Sequence, residues 1–206
     1  MDSEIKLNIG CASRPLSGYV NIDLDTLEEI RERYPNVEMQ EDVVVEQYDI
    51  FNLPYEDNSV SEVRADAFLE HMSFEEEAKI FYEFKRILKP GGHLCFSVPD
   101  FEDTVRKWLA AEDNWKDFYR SDPEAIEKKH WFGQYSYSSD SRWGYLTACI
   151  FGPQNSKGQF HKNCYTTSKI KAQMSYLGFK EPEISYFNWK GDRDRMIQVK
   201  AEKKIS

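Results

Sequence analysis

The sequence predicts an α/β fold, doubly wound around a mostly parallel sheet of seven strands. Apolar runs of strand length alternate with helix-period segments through residues 1–100, and this alternation favours parallel strands joined by crossovers. Two more strand segments, at about residues 183–189 and 196–201, indicate an antiparallel hairpin that turns near Gly191. An aromatic-rich insertion separates these two parts of the chain.

The first four strands are predicted at residues 5–9, 19–24, 42–50 and 60–66. A short helix is predicted over residues 26–34, because its apolar residues share one face and Pro35 follows. Only about a dozen residues separate the ends of the first two strands, which is close to the lower limit for a parallel crossover. The first crossover is therefore expected to be a loop or a single helical turn.

The clearest helix begins after Ser73, where Glu76 stands at the spacing of a capping box. An apolar stripe at helical spacing follows it, and the Lys-Pro-Gly-Gly segment at residues 89–92 ends it. The fifth strand is predicted at residues 93–98. A last helix is predicted over residues 166–178, with Gly178 at its C-terminal cap.

One domain is expected to span residues 1–206, made of segments 1–100, 101–165 and 166–206. The middle segment carries four of the five tryptophans. Such rings usually fill a small satellite core, but here they lie among glycines and serines, which also suits a substrate lid. The candidates that would line a substrate pocket are Tyr135, Tyr137, Trp143 and Tyr145. They suit an apolar, sugar-like or cationic substrate.

The net charge of −9 argues against nucleic acid or an anionic membrane surface as the partner. No apolar run approaches the roughly 20 residues of a spanning helix, and the first residues lack a signal-peptide pattern. The four cysteines lack the spacing of zinc or redox motifs, so no metal site and a reducing, cytoplasmic compartment are expected. The sequence makes no prediction of oligomeric state.

Carboxylates follow nearly every predicted parallel strand, where open α/β sheets bind their ligands. The crevice is therefore expected to be strongly negative. A dinucleotide is disfavoured, because its pyrophosphate needs a Gly-x-Gly-x-x-Gly loop and the first loop has only Gly10. A cation that bears adenosine fits better. Asp23 can accept from both ribose hydroxyls, Asp49 from an adenine amino group, and Asp66 or the Gly10 carbonyl from an ammonium group.

Six stretches, in order, resemble class I S-adenosylmethionine-dependent methyltransferases of the group often labelled type 11. The stretches are KLNIGC (6–11), GYVNIDL (18–24), DIFNLPYED (49–57), LEHM (69–72), RILKPGG (86–92) and SVPDF (97–101). The end of the chain, with His161-Lys162 and Leu177-Gly-Phe179, also resembles this family, and the insertion is less typical. The resemblance implies a Rossmann-like fold, with segment 1–100 as the cofactor-binding half and segment 101–165 as the substrate lid.

The resemblance also implies that S-adenosylmethionine is the cofactor and that a set of residues binds it. The set is Gly10, Cys11, Ala12, Asp23, Leu24, Asp49, Ile50 and Asp66. The first three would line the methionine part, Asp23 would hold the ribose, and Asp66 the amino end. Asp49 and Ile50 would contact the adenine. Ala12 replaces the family's usual second loop glycine.

The expected reaction is methyl transfer to an oxygen or nitrogen of a small molecule or a glycan-type substrate. His71 and His161 are the candidate bases that would take a proton from the acceptor. For each, the alternative is a histidine that only packs or lies in a surface turn. The alternative for the whole chain is a non-catalytic cofactor-binding or scaffold protein that keeps the fold.

Overall fold

The computed structural model describes residues 4–113, 142–154, 158–189 and 194–205, together with Pro123 and Glu127. Their strands are Ile5–Ile9 (β1), Val20–Ile22 (β2), Val45–Glu46 (β3), Val60–Asp66 (β4), Leu88–Pro99 (β5), Glu183–Asn188 (β6) and Arg195–Glu202 (β7). They form one sheet in the order β3-β2-β1-β4-β5-β7-β6. The first five strands pair in parallel, and β7 is antiparallel to both β5 and β6. The predicted fold class is therefore confirmed.

The described helices are Leu27–Arg33 (α1), Phe74–Ile87 (α2), Phe101–Ala110 (α3), Tyr145–Phe151 (α4) and Thr167–Leu177 (α5). The capping box predicted at Ser73 forms, because Ser73 accepts from the backbone N–H of Glu76 and the Glu76 carboxylate accepts from that of Ser73. Gly178 adopts φ +85° at the C-terminal cap of α5, as predicted. Among the described residues, no helix combines the length and apolarity needed to cross a membrane.

The main core lies on the sheet face where α2 and α5 pack. Burial alternates along β4: Val63 and Ala65 are fully buried, whereas Arg64 and Asp66 are half-buried on the opposite face. The apolar residues of α2 and α5 join the same buried cluster as those of β1, β4 and β5. The apolar cluster thus fixes the sheet while polar side chains remain available on the other face and at the strand ends.

Two strands differ from the sequence prediction. The third covers only Val45–Glu46 rather than residues 42–50, because the carbonyl of Val44 accepts from the Asn21 side chain and the chain turns away after Glu46. The fifth begins at Leu88, directly after α2, with an irregularity in its pairing to β4. The helix α2 ends just before the Lys-Pro-Gly-Gly segment, and that segment forms the first part of β5.

The connection from β1 to β2 contains no helix, as its length predicted. Two buried asparagines hold it in place. Asn21 accepts from the Leu16 N–H at 2.7 Å and donates to the Leu16 carbonyl at 3.1 Å, in the manner of a neighbouring strand. Asn8 donates to the Arg14 carbonyl at 3.0 Å and to the Asn21 side-chain oxygen at 2.9 Å. Side chains of the sheet thus order a loop that has little secondary structure of its own.

Candidate active site at the carboxyl edge of the sheet

The loop after β1 turns sharply at Gly10. Its φ of +63° favours glycine, and a Cβ at this position would lie 2.2 Å from the ring of Phe68. The Gly10 N–H donates to the carbonyl of Ile22 at 2.8 Å, so the loop continues the pairing of β1 with β2. Cys11 is buried, and Ala12 also adopts a positive φ, of +42°. Gly10 and Cys11 both line the cleft described below.

Asp23 follows β2 directly and anchors this loop. Its Oδ2 accepts from the Ala12 N–H at 2.8 Å, and its Oδ1 accepts from the Asp25 N–H at 3.2 Å. The side chain is only partly buried, and each carboxylate oxygen has more than one acceptor position. Asp23 can therefore position the loop and still accept from hydroxyl groups of a ligand.

The residues expected near adenine lie beyond the ends of β2 and β3. Asp49 is exposed, and its Oδ1 accepts from the Phe51 N–H at 3.0 Å, which forms an Asx-turn. Ile50 packs against the core cluster, and the side chain of Leu24 is 86% exposed. Asp49 and Ile50 lie in a loop rather than at the end of a strand, since β3 stops at Glu46.

Asp66 at the end of β4 has two side-chain partners. The Ser97 hydroxyl donates to its Oδ1 at 2.8 Å, and Nη1 of Arg64 donates to its Oδ2 at 3.2 Å. At the end of β5, Asp100 caps α3 and accepts from the Arg195 guanidinium at 2.7 Å. The crevice is therefore less negative at these two strand ends than expected, because Arg64, two residues before Asp66, and Arg195, near the end of the chain, pair with the carboxylates.

A cleft of about 370 Å³ opens beside the first loop. Its lining includes Gly10, Cys11, Arg14, Tyr19, Arg64 and Asp66. Arg14 is a residue that sequence reasoning missed: its guanidinium carbon lies 4.1 Å from the ring centroid of Trp189, beyond β6. The cleft thus offers a cation and a carboxylate together, which suits the two charged ends of an amino acid.

The Leu-Glu-His stretch after β4 forms a short 3-10 turn, Leu69–His71. The segment after α4 docks on it, because the Glu70 carbonyl accepts from the N–H groups of Lys162 at 2.8 Å and Asn163 at 3.1 Å. This docking brings the His161 ring to 5.1 Å from the His71 ring, centroid to centroid. The structure therefore brings the two predicted candidate bases together, although 90 positions separate them in the chain.

Both imidazoles are held in the same way. Nδ1 of His71 lies 3.1 Å from the carbonyl oxygen of Phe160, and Nδ1 of His161 lies 3.1 Å from that of Cys149. A carbonyl only accepts, so these contacts assign the proton of each neutral ring to Nδ1 and leave Nε2 with a lone pair. Burial lowers the pKa of His71, and burial with the neighbouring His71 lowers the pKa of His161 to about 4. The His161 ring is therefore neutral at pH 7.

Glu70 lies beside this pair and is almost fully buried, with 3% of its surface exposed. Burial raises the pKa of its carboxyl group to about 8. Its Oε2 is buried and has no hydrogen-bond partner among the described residues. A carboxyl group in this state is unusual, since buried polar groups normally find partners.

The predicted substrate-facing rings fall into two groups. Tyr135 and Tyr137 lie outside the described residues. Trp143 packs edge-on against Trp108, and the buried Tyr145 donates from its hydroxyl to Asp194. These contacts fit the satellite core that was the alternative, and the role of Trp143 and Tyr145 in a pocket stays a prediction.

The parallel sheet, the loop anchored to an acid after β2 and the closing antiparallel pair define the fold of class I methyltransferases. Residues 9–96 match the family model described as "Methyltransferase domain". The chain thus has the fold of class I methyltransferases, and this part of it is similar to the methyltransferase family.

A protein of Methanosarcina mazei titled a SAM-dependent methyltransferase superposes with a TM-score of 0.58 at 18% identity, over 100% of this chain and 95% of that one. The 1,6-didemethyltoxoflavin-N1-methyltransferase of Burkholderia thailandensis, with bound S-adenosylhomocysteine, superposes with a TM-score of 0.56 at 11% identity. The match covers 98% of this chain and 71% of that one. An uncharacterized 37.1 kDa transposon protein of Streptomyces fradiae is 32% identical over 112 residues, 48% of this chain. This chain spans 31% of that relative.

Proposed function

We propose that this protein transfers the methyl group of S-adenosylmethionine to an oxygen or nitrogen of a small molecule or a glycan-type substrate. The observation that carries the proposal is the pairing of the Gly10 loop with Asp23 at the end of β2. The loop leaves no room for a side chain at Gly10, because the ring of Phe68 lies there, and Gly10 and Cys11 line the cleft. Asp23 stands where ribose hydroxyls would need an acceptor.

Residues that line the cleft and residues that follow β2 and β3 would together fit the cofactor part by part. Asp23 would hold the ribose, and Asp49 and Ile50 would lie along the adenine with the exposed Leu24. Asp66 would accept from the ammonium group, and Arg14 would hold the carboxylate. When bound, S-adenosylmethionine supplies a methyl group on a positively charged sulfur. The chain's own contribution is then alignment, which is worth up to about 7–11 kcal/mol in favourable cases.

His71 and His161 are the proposed activating residues on the acceptor side. Their Nδ1 atoms are bound to backbone carbonyls, so their Nε2 atoms are the ones that can act. The free thiols of all four cysteines support a cytoplasmic location. The net charge of −9 supports a small or glycan-type substrate rather than nucleic acid or a membrane surface.

The proposal predicts that the intact protein binds S-adenosylmethionine and S-adenosylhomocysteine and methylates a member of a broad acceptor panel. Titration calorimetry measures binding, and mass spectrometry of the panel detects a mass gain of one methylene. Absence of binding to both compounds contradicts the proposal. Binding without transfer to any acceptor favours the non-catalytic scaffold instead.

We expect His71→Ala to lower kcat by about 100-fold or more, because loss of a group that activates the acceptor usually costs about 10²–10⁴ in rate. Cofactor affinity should stay within a few-fold, since His71 is not among the residues assigned to the cofactor. Steady-state kinetics and calorimetry separate the two effects. His93→Ala, on β5, is the matched control and should keep normal turnover. Unchanged kcat in the His71 variant would exclude this role.

A further inference from the structure

We infer that Glu70, His71 and His161 form a binding site for one divalent transition-metal ion. The inference starts from geometry, because one ligand atom from each of the three residues lies within 4.8 Å of the other two. Zinc ligands lie at about 2.0–2.2 Å from the ion, which places tetrahedral ligand atoms about 3.3 Å apart. The three side chains therefore need to close by about 1.5 Å at most, which small rotations about their χ angles allow.

The histidines already carry the outer contacts of metal ligands. A metal-bound imidazole usually donates its second N–H to a carbonyl or carboxylate, which fixes the tautomer and the ring orientation. His71 makes this contact with Phe160, and His161 makes it with Cys149, both at 3.1 Å. Both rings therefore present the nitrogen that a metal binds.

Glu70 has no hydrogen-bonded or ion-paired cation among the described residues, although the positive charge of Arg14 acts on its carboxyl group. Its buried Oε2 has no hydrogen-bond partner among the described residues, and no arginine or lysine of the described chain forms a salt bridge with it. A cavity of about 10 Å³, lined in part by Glu70, His161 and Asn163, lies next to it. This volume is about that of one water-sized sphere.

An ion satisfies this cluster better than a water molecule does. When Glu70 is ionised, two Nε2 atoms and one carboxylate oxygen are all acceptors, and a water molecule has only two protons to donate. A cation interacts with all three acceptors at once. The mixed nitrogen and oxygen set suits zinc, iron, cobalt or manganese rather than magnesium or calcium, which prefer oxygen ligands alone.

The site has the form of a catalytic rather than a structural metal centre. Three protein ligands leave at least one coordination position open, and His71 and His161 are only half-buried. If the proposed function holds, an acceptor hydroxyl at the open position would lose its proton to solvent more readily, because a divalent ion lowers the pKa of a bound hydroxyl group. The imidazoles then act as ligands rather than as direct bases.

The test uses the full chain, stripped of metal with a chelator and then titrated with Co²⁺ and Zn²⁺. We expect one ion per chain, with visible absorption bands for Co²⁺ and micromolar or tighter affinity in calorimetry. Glu70→Gln and His161→Ala should each weaken affinity by at least about 100-fold, since loss of an outer contact alone costs about 10–100-fold. His93→Ala should bind normally, and an excess of Mg²⁺ should not displace the ion.

Failure of Co²⁺ and Zn²⁺ to bind overturns the inference, as does binding that survives both ligand substitutions. Glu70→Gln is nearly isosteric, and circular dichroism with thermal melting shows whether each variant is folded. These readouts do not depend on methyl transfer. A protein that methylates its acceptor but binds no ion refutes only the metal site, and one that binds the ion but transfers no methyl group refutes only the proposed function.

Discussion

Asp23→Ala is expected to weaken the binding of S-adenosylmethionine and S-adenosylhomocysteine by about 100-fold or more. The carboxylate would accept from two ribose hydroxyls, and each hydrogen bond to a charged group contributes about 1.5–3 kcal/mol. A loss of about 3 kcal/mol corresponds to roughly 100-fold in affinity. The substitution also removes the acceptor for the Ala12 N–H, so the first loop loses a contact that orders it.

Titration calorimetry with both compounds measures this effect. The matched control is Asp25→Asn, two residues further on, where the carboxylate forms an ion pair with Arg33 at 2.5 Å instead of holding the loop. We expect the control to bind within a few-fold of the unmodified protein. Equal affinities for the Asp23 variant and the control would rule out Asp23 as the ribose ligand.

The second large effect is expected on stability, at Asn21. The side chain is fully buried and makes hydrogen bonds with Asn8, Leu16 and Val44. Alanine would leave several buried donors and acceptors without partners, at about 1–3 kcal/mol each. We expect Asn21→Ala to lower the free energy of unfolding by about 3–5 kcal/mol, a large part of the 5–15 kcal/mol typical of a domain.

Urea unfolding followed by circular dichroism and tryptophan fluorescence measures this loss. Asn52→Ala is the control, because Asn52 is exposed and an exposed substitution usually changes the free energy of unfolding by less than about 0.5 kcal/mol. A change of similar size in the two variants would mean that the Asn21 amide does not hold the loop. The slope of free energy against urea should stay the same if both variants unfold from the same compact state.

Features set by neighbouring residues could be predicted from the sequence. The capping box at Ser73, the helix end at Gly178 and a first crossover of at most one helical turn depend on local spacing, and the structure agrees with all three. The third strand was predicted too long because Val43, Val44 and Val45 form a strand-like run. Its actual extent depends on Asn21, a neighbour in space that no local pattern reveals.

The candidate site also has residues that could be predicted from the sequence and contacts that could not. Gly10 and Asp23 could be predicted because each directly follows a strand, and strand ends meet at one edge of a parallel sheet. The pairing of Asp100 could not, since Arg195 approaches from a strand near the end of the chain. Each candidate histidine could be identified, but their proximity depends on the docking of one segment on the Glu70 carbonyl.

The first loop also has an entropic consequence. Gly10, Ala12 and Leu16 are each fixed by a hydrogen bond to β2 or to the residue that follows it. Ordering one residue costs about 1–2 kcal/mol in backbone entropy. For this loop the cost is met when the chain folds rather than when a ligand binds. A ligand that meets this loop finds it preorganised, so little of the interaction free energy is lost to ordering the chain.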